Sequence, residues 1–426
     1  MHVIVLGAGV VGVTTAYYLS QAGHRVTVLE RATTPASAAS YGNAGGLCPG
    51  FSGPWASPGL LRKAGGWLLQ KNAPLSIGRG IEWADVPWLW HFTANCRRAA
   101  FARNKARMQR IAHYSQARLL ELNRDLGWGD NYDFRQAGVL QLFRDRTDFT
   151  AAKYGAVRVL SAAGVDHRLA DAAELAEIDP ALAPSADHFV GGLLLPGDAS
   201  GDSQKFSLAL ALWLAECGVD FRYAHEACAL LGNAQEVTGV RTLRGEFTAD
   251  AVVVALGAEA GSLLKPWQLK LPIRPVKGYS LTARIHRCAE IAPTVAVMDD
   301  QHKTFIARLG NRIRIAGIAE ISGFDHRLPQ GKRTFLEKRL EDVYPGVADF
   351  SEAQFWSGLR PMTWDGPPIL GKTPVSRLFL NAGHGSSGWT QACGTGKLVA
   401  DIVSGKQPDL DLDGLTLARF DKAVSR

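Results

Sequence analysis

Paired cysteines, long apolar runs and clustered charge are all scarce in this chain, and each shortage removes a class of protein. The six cysteines, Cys48, Cys96, Cys217, Cys228, Cys288 and Cys393, are scattered over 426 residues with no C-x-x-C pair. That spacing argues against a disulfide scaffold or a zinc site and for a reducing, cytoplasmic setting. No metal is expected. No apolar run reaches the roughly 18 residues that a bilayer-spanning helix needs. The opening MHVIVLGAGVVG is apolar, but it has no basic leader or cleavage site, and glycine interrupts it after Leu6; it does not read as a signal peptide. The net charge of +7 is spread along the chain, without a lysine tail or zinc-finger spacing. Nucleic acid is therefore not an expected partner.

What the chain does have is glycine, 45 residues of it, in a sequence that is 46% hydrophobic and 20% charged. That composition and length describe a globular α/β enzyme of two domains. His2 to Leu6 reads as a buried parallel strand, and Gly7, Gly9 and Gly12 follow in the pattern G-x-G-x-x-G. A helix is expected over Val13 to Ala22, then a second strand ending at Glu30. Such a strand–loop–helix–strand unit holds a dinucleotide: the glycines admit the pyrophosphate to the helix N-terminus, where Val10 and Val11 lie, and the acid accepts from the ribose. These residues alone leave NAD and FAD open.

Three later segments favour the longer cofactor. After Glu30 and Arg31 comes a loop of small residues, RATTPASAASYGNAGGLCPG, where a dehydrogenase for nicotinamide would continue into helix and strand. In mid-chain a helix from Ser207 to Cys217 precedes a strand expected from Ala251 to Leu256, capped by Gly257. Near the C-terminus, NAGHGSSGWTQACGTG follows a short strand and precedes a helix expected from about Gly394 to Val403.

The stretch VLGAGVVGVTTAYYLSQAGHRVTVLER resembles the dinucleotide motif of the glutathione-reductase-like flavoproteins. Together with RPVKGYSLT, FWSGLRPMTWDGPPILGKTP and LNAGHGSSGWTQACGTGKLVADIVSGKQP, it makes nearly the whole chain similar to the bacterial D-amino acid dehydrogenases of the small-subunit type, within the D-amino acid oxidase-like family. The resemblance implies a Rossmann-like FAD-binding α/β domain and a second, α+β substrate domain built on an antiparallel sheet. The expected division is 1–53, 197–272 and 352–426 for FAD, and 54–196 and 273–351 for substrate. It implies that Gly7, Gly9 and Gly12 hold the pyrophosphate, Glu30 and Arg31 the ribose, and Ala227 the adenine. Ser40, Asn43, Gly45 and Gly46 would lie near the flavin, and Gly383, Gly385, Ser387, Gly388, Trp389 and Thr390 beneath its pyrimidine.

The implied chemistry is oxidation of a D-amino acid, with electrons passed to a quinone or redox protein. The alternatives are a D-proline or hydroxyproline dehydrogenase, a glycine or sarcosine-type oxidase, and a flavin-binding protein without turnover. Arg360, in SGLRPMTWDG, is the expected carboxylate clamp, because a planar guanidinium matches a carboxylate bidentately. Tyr279 is a second candidate for substrate contact. His384 is expected to support the loop and not to act as a base.

Between Pro54 and Gly129 lie Trp55, Trp67, Trp83, Trp88 and Trp90, then Arg97, Arg98, Arg103, Lys105, Arg107 and Arg110 with no acid among them. A solvated helix face is the ordinary reading. The sharper one is a peripheral contact with the inner face of the cytoplasmic membrane.

Overall fold

The computed structural model describes residues 1–60, 75–78, 83–162, 164–286 and 292–420; Trp67 and Cys288 lie outside them. Among the described residues the strands assemble into two large sheets and two small ones. At the centre of the first large sheet is the strand His2–Leu6, flanked in parallel by Arg25–Leu29 and by Ala251–Val254. Asp220–Arg222 extends one side, while Leu378–Ala382 and then antiparallel Ile369–Lys372 extend the other.

These strands read as unbroken apolar runs because both of their faces are covered. Val3, Val5, Val28 and Val253 point into one core with the helices, and Ile4, Leu6, Leu29, Val252 and Val254 into another.

Three helices begin earlier than expected. The first spans Val10–Gln21: the Gly9 carbonyl already accepts from Val13 at 2.9 Å, and Ser40 Oγ accepts the Val10 N–H at 3.0 Å. The second spans Gly388–Val403, six residues ahead of its expected start. Its glycines are contact points between helices. A Cβ on Gly394 would lie 2.8 Å from Ser115 Cα, and one on Gly396 would lie 2.9 Å from the Thr14 carbonyl carbon. Close packing there overrides the poor helix propensity of GWTQACGTG. The third, in mid-chain, is Ser203–Glu216, capped by Asp202, whose carboxylate accepts from Gln204 and Lys205.

The second sheet is mixed and largely antiparallel, with nine described strands. Its longest members, Ile273–Ile285 and Ala348–Thr363, pair along most of their length. Ala348–Thr363 runs unbroken across residue 352, where a domain boundary was expected, and carries Arg360. The helix Gln330–Val343 covers one face through Leu336, Leu340 and Val343. The helix Arg98–Leu126 comes from the tryptophan-rich insert, yet it buries Ile111, Leu119 and Leu122 against the core of the first sheet. The two sheets leave a cavity between them, at the C-terminal ends of His2–Leu6 and Ala251–Val254, where strand order reverses. Open α/β sheets bind ligands at such a switch point.

Candidate active site

The cavity has a volume of about 730 Å3 and is lined from both sheets. On the first sheet its wall includes Gly7, Gly9, Val10 and Val11, which form the turn into the first helix. Gly7 holds φ at 96°, and a Cβ there would lie 2.8 Å from the Ala255 carbonyl. At Gly12 a Cβ would lie 1.9 Å from Gly7 O, so the helix can approach the strand only without a side chain. Glu30 lies at the end of the second strand, where its carboxylate oxygens accept from Ala8 N at 2.7 Å and Ala32 N at 2.9 Å. Each oxygen keeps a lone pair for a hydroxyl. Beside it Arg31 pairs with Glu259. Ser40, Asn43, Ala227 and Gly257 complete this wall.

On the other side Tyr279, Gly358 and Arg360 come from the second sheet, and Gly385, Gly388 and Trp389 from the C-terminal loop and helix. Arg360 Nη1 donates to Ile318 O at 3.1 Å, and its guanidinium lies 5.3 Å from the Trp55 ring centroid. No carboxylate pairs with it among the described residues. Burial lowers its pKa to about 10, which leaves it charged at neutral pH. Tyr279 is differently placed: its hydroxyl donates to Glu320 at 3.0 Å, and its ring stacks on Phe355. It builds the wall, and its proton is already committed.

Six of the expected residues lie outside the lining and support it. Gly12 admits the helix. Gly45 donates to Asn43 Oδ1 and accepts from Gly201, while Gly46 pairs with Ser200. Gly383, at φ 75°, sits where a Cβ would meet Thr363 at 2.8 Å. Ser387 N–H donates to His384 O. Thr390 Oγ1 accepts from Cys48 N at 3.2 Å and donates to Gly46 O at 3.3 Å, tying the two loops together.

Several lining residues escaped the sequence reading. Trp356 occupies space that Gly42 and Gly358 leave open, since a Cβ on Gly358 would lie 2.0 Å from its ring. Asn381 donates to Thr15 Oγ1, but its Oδ1 is buried without a partner beside the cavity. That oxygen is an acceptor prepared for something the protein itself does not supply.

Residues 2–402 match the model of a family described as FAD dependent oxidoreductase. The chain belongs to that family. A D-amino acid dehydrogenase of Methylobacterium radiotolerans is 47% identical over 421 residues, covering 99% of this chain and all of the relative. One of Azorhizobium caulinodans is 44% identical over 420 residues, with the same coverage. Among solved structures, glycine oxidase from Geobacillus kaustophilus is 25% identical with a TM-score of 0.76, covering 98% of each chain. L-proline dehydrogenase from P. horikoshii, at 20% identity, shares the fold with a TM-score of 0.74, covering 99% of this chain and 98% of its own.

The residues fit the cofactor of an FAD-dependent oxidoreductase. A cavity this large, a side-chain-free glycine turn at a helix N-terminus, a carboxylate with free lone pairs and a waiting Asn381 acceptor suit a dinucleotide,. Among the described residues no group of histidines, cysteines or acids could hold a metal, and no helix is long and apolar enough to cross a membrane.

Proposed function

We propose that this flavoenzyme is a D-amino acid dehydrogenase. It converts a D-amino acid to the imino acid, which water hydrolyses to a 2-oxo acid and ammonia, and its electrons pass to a quinone or redox protein. The observation that carries the reading is Arg360, a half-buried guanidinium lining the cavity with no carboxylate paired to it among the described residues. The relatives named D-amino acid dehydrogenase supply the substrate class.

In this reading Gly7, Gly9, Val10 and Val11 form the turn that holds the pyrophosphate, with the Gly9 and Val11 N–H groups facing it while those of Gly7 and Val10 are held by Leu29 O and Ser40 Oγ; Glu30 takes the ribose and Ala227 meets adenine. Ser40 and Asn43, with Gly385, Gly388 and Trp389, border the flavin ring. When bound, FAD accepts the two electrons and the hydrogen that leave the substrate's α carbon. Arg360 binds the substrate carboxylate bidentately and so turns the α C–H toward the ring. The Trp55 ring, stacked by the guanidinium, excludes water from that pair. Segments 1–53, 197–272 and 352–426 serve FAD and the remainder serves substrate, with Arg360 on the strand that joins them.

Replacing Arg360 with Lys keeps the charge and removes the fork. We expect the KM for a D-amino acid to rise by about tenfold to a hundredfold, in line with a lost charge-assisted bond. Unchanged kinetics would place the clamp elsewhere.

A peripheral membrane contact also belongs to this reading. Trp83 and Trp90 are 92% and 73% exposed, and Arg97, Arg98 and Arg103 are exposed beside them in sequence. Arg107 and Arg110 are spent differently, on Asp413 and Asp411. Co-sedimentation with anionic vesicles at low salt is expected; its absence would remove the contact.

A further inference from the structure

His384 is buried, lines the cavity and has one side-chain partner, Thr395 Oγ1, at 3.1 Å from Nε2. The Thr395 hydroxyl is itself directed at the Ala392 carbonyl at 3.2 Å. A hydroxyl that gives its proton to a carbonyl can only accept from the ring, so Nε2 carries the ring hydrogen. The other nitrogen, Nδ1, is then a bare lone pair, and no described residue hydrogen-bonds to it. Among the described residues no carboxylate stands near enough to charge the ring, and burial lowers its pKa to about 3, so the imidazole stays neutral.

The position of this lone pair follows from the backbone. His384 forms a bridge with Met362 of the long strand Ala348–Thr363. Arg360 and Met362 are two residues apart and therefore share one face of that strand. Two residues beyond His384, Ser386 Oγ accepts from Trp55 Nε1 at 3.0 Å, and the Trp55 ring is the one stacked by Arg360. His384, Ser386 and Arg360 thus line the same cavity, with Trp55 linking Ser386 to Arg360.

An amino acid brings two polar groups to such a site. Its carboxylate needs donors, which Arg360 supplies, and its amino group needs acceptors, which a guanidinium cannot offer. We propose that Nδ1 of His384 accepts a hydrogen bond from the substrate's amino group. With the carboxylate fixed on Arg360, this second point sets the rotation of the substrate about its Cα and so the direction of the α C–H. A neutral acceptor suits the task because it attracts an ammonium or an amine without competing for its proton. Thr395 is a positioning residue: it acts through His384 by fixing which nitrogen is bare. This inference rests on the amino-acid reading above.

The test compares a substrate with a ligand that lacks the amino group. FAD-loaded wild type, His384→Leu, His384→Asn and Thr395→Val are assayed with D-alanine, and each is titrated with propionate through the flavin spectrum. Leucine removes the acceptor; asparagine restores one near the position of Nδ1. Loss of a hydrogen bond to a charged group predicts that the D-alanine KM of His384→Leu rises about tenfold or more. Propionate binding should stay within about twofold, His384→Asn should recover most of the loss, and Thr395→Val should fall between. A His384→Leu enzyme with wild-type KM, or one that loses propionate as strongly as D-alanine, overturns the inference. If wild type binds propionate but oxidises no D-amino acid, the substrate reading fails and this one with it. Active wild type with an indifferent His384→Leu overturns this one alone.

Discussion

Asp198 shows how much one side chain can carry that sequence does not advertise. It is 3% exposed, accepts from Gly50 N at 3.2 Å through Oδ1, and leaves Oδ2 buried without a partner. Burial raises its pKa to about 7. A carboxyl whose folded pKa exceeds its unfolded value near 4 binds fewer protons unfolded, so it costs stability as pH rises through that interval. His384 runs the other way: its lowered pKa penalises folding in acid and is silent above about pH 6.5,. A difference measurement separates them. The Tm of Asp198→Asn minus that of wild type should grow between pH 5 and pH 8, by an amount of order 1–4 kcal/mol in stability. A constant difference would mean that the carboxyl does not titrate there. No local pattern marks Asp198, because its environment is built from Cys48, Gly50 and the second sheet. The place of Glu30 on the cavity wall, in contrast, was legible, since it follows from its distance along the chain from a glycine turn.

Elements divide in the same way. The first strand, turn and helix were readable because everything that defines them lies within about thirty residues, and the steric test is sharp. Gly12→Ala puts a methyl 1.9 Å from Gly7 O; the variant should purify without yellow flavin, checked by its absorbance. The C-terminal helix was shortened in the reading because its glycines signal a loop locally, while their purpose, close packing on Ser115 and Thr14, is set by residues hundreds of positions away. The same holds for the charge network that joins the sheets. Arg314 is 2% exposed; it donates to Thr282 Oγ1 at 2.8 Å and Asn43 O at 3.1 Å and pairs with Asp202, the cap of the helix Ser203–Glu216. Asp202 also takes Arg312 at 2.8 Å. Asp202→Ala therefore removes a cap and leaves a buried guanidinium unpaired. It should cost about 3–5 kcal/mol in denaturant unfolding, against about 1 for a cap alone; a loss of only the smaller size would show that Arg314 needs no counter-ion.

The whole molecule places a dinucleotide-sized cavity between a parallel sheet and a largely antiparallel one, with the glycine turn on one side and Arg360 on the other. Two glycine-rich segments serve one site from opposite ends of the chain: the first turns backbone toward the cavity, and the second supplies Gly385, Gly388 and Trp389 to the wall before packing as a helix. The basic run shows the limit of reading charge from sequence, since two of its arginines are held by acids near the C-terminus. The central claim, a flavoenzyme whose substrate is a D-amino acid, meets its most direct test in an anaerobic titration of the yellow protein. D-alanine should bleach the flavin absorbance and release pyruvate and ammonia in a one-to-one ratio with the flavin reduced, while L-alanine leaves the spectrum unchanged. Bleaching by the L-enantiomer, or by neither D-alanine nor any other D-amino acid, would contradict it.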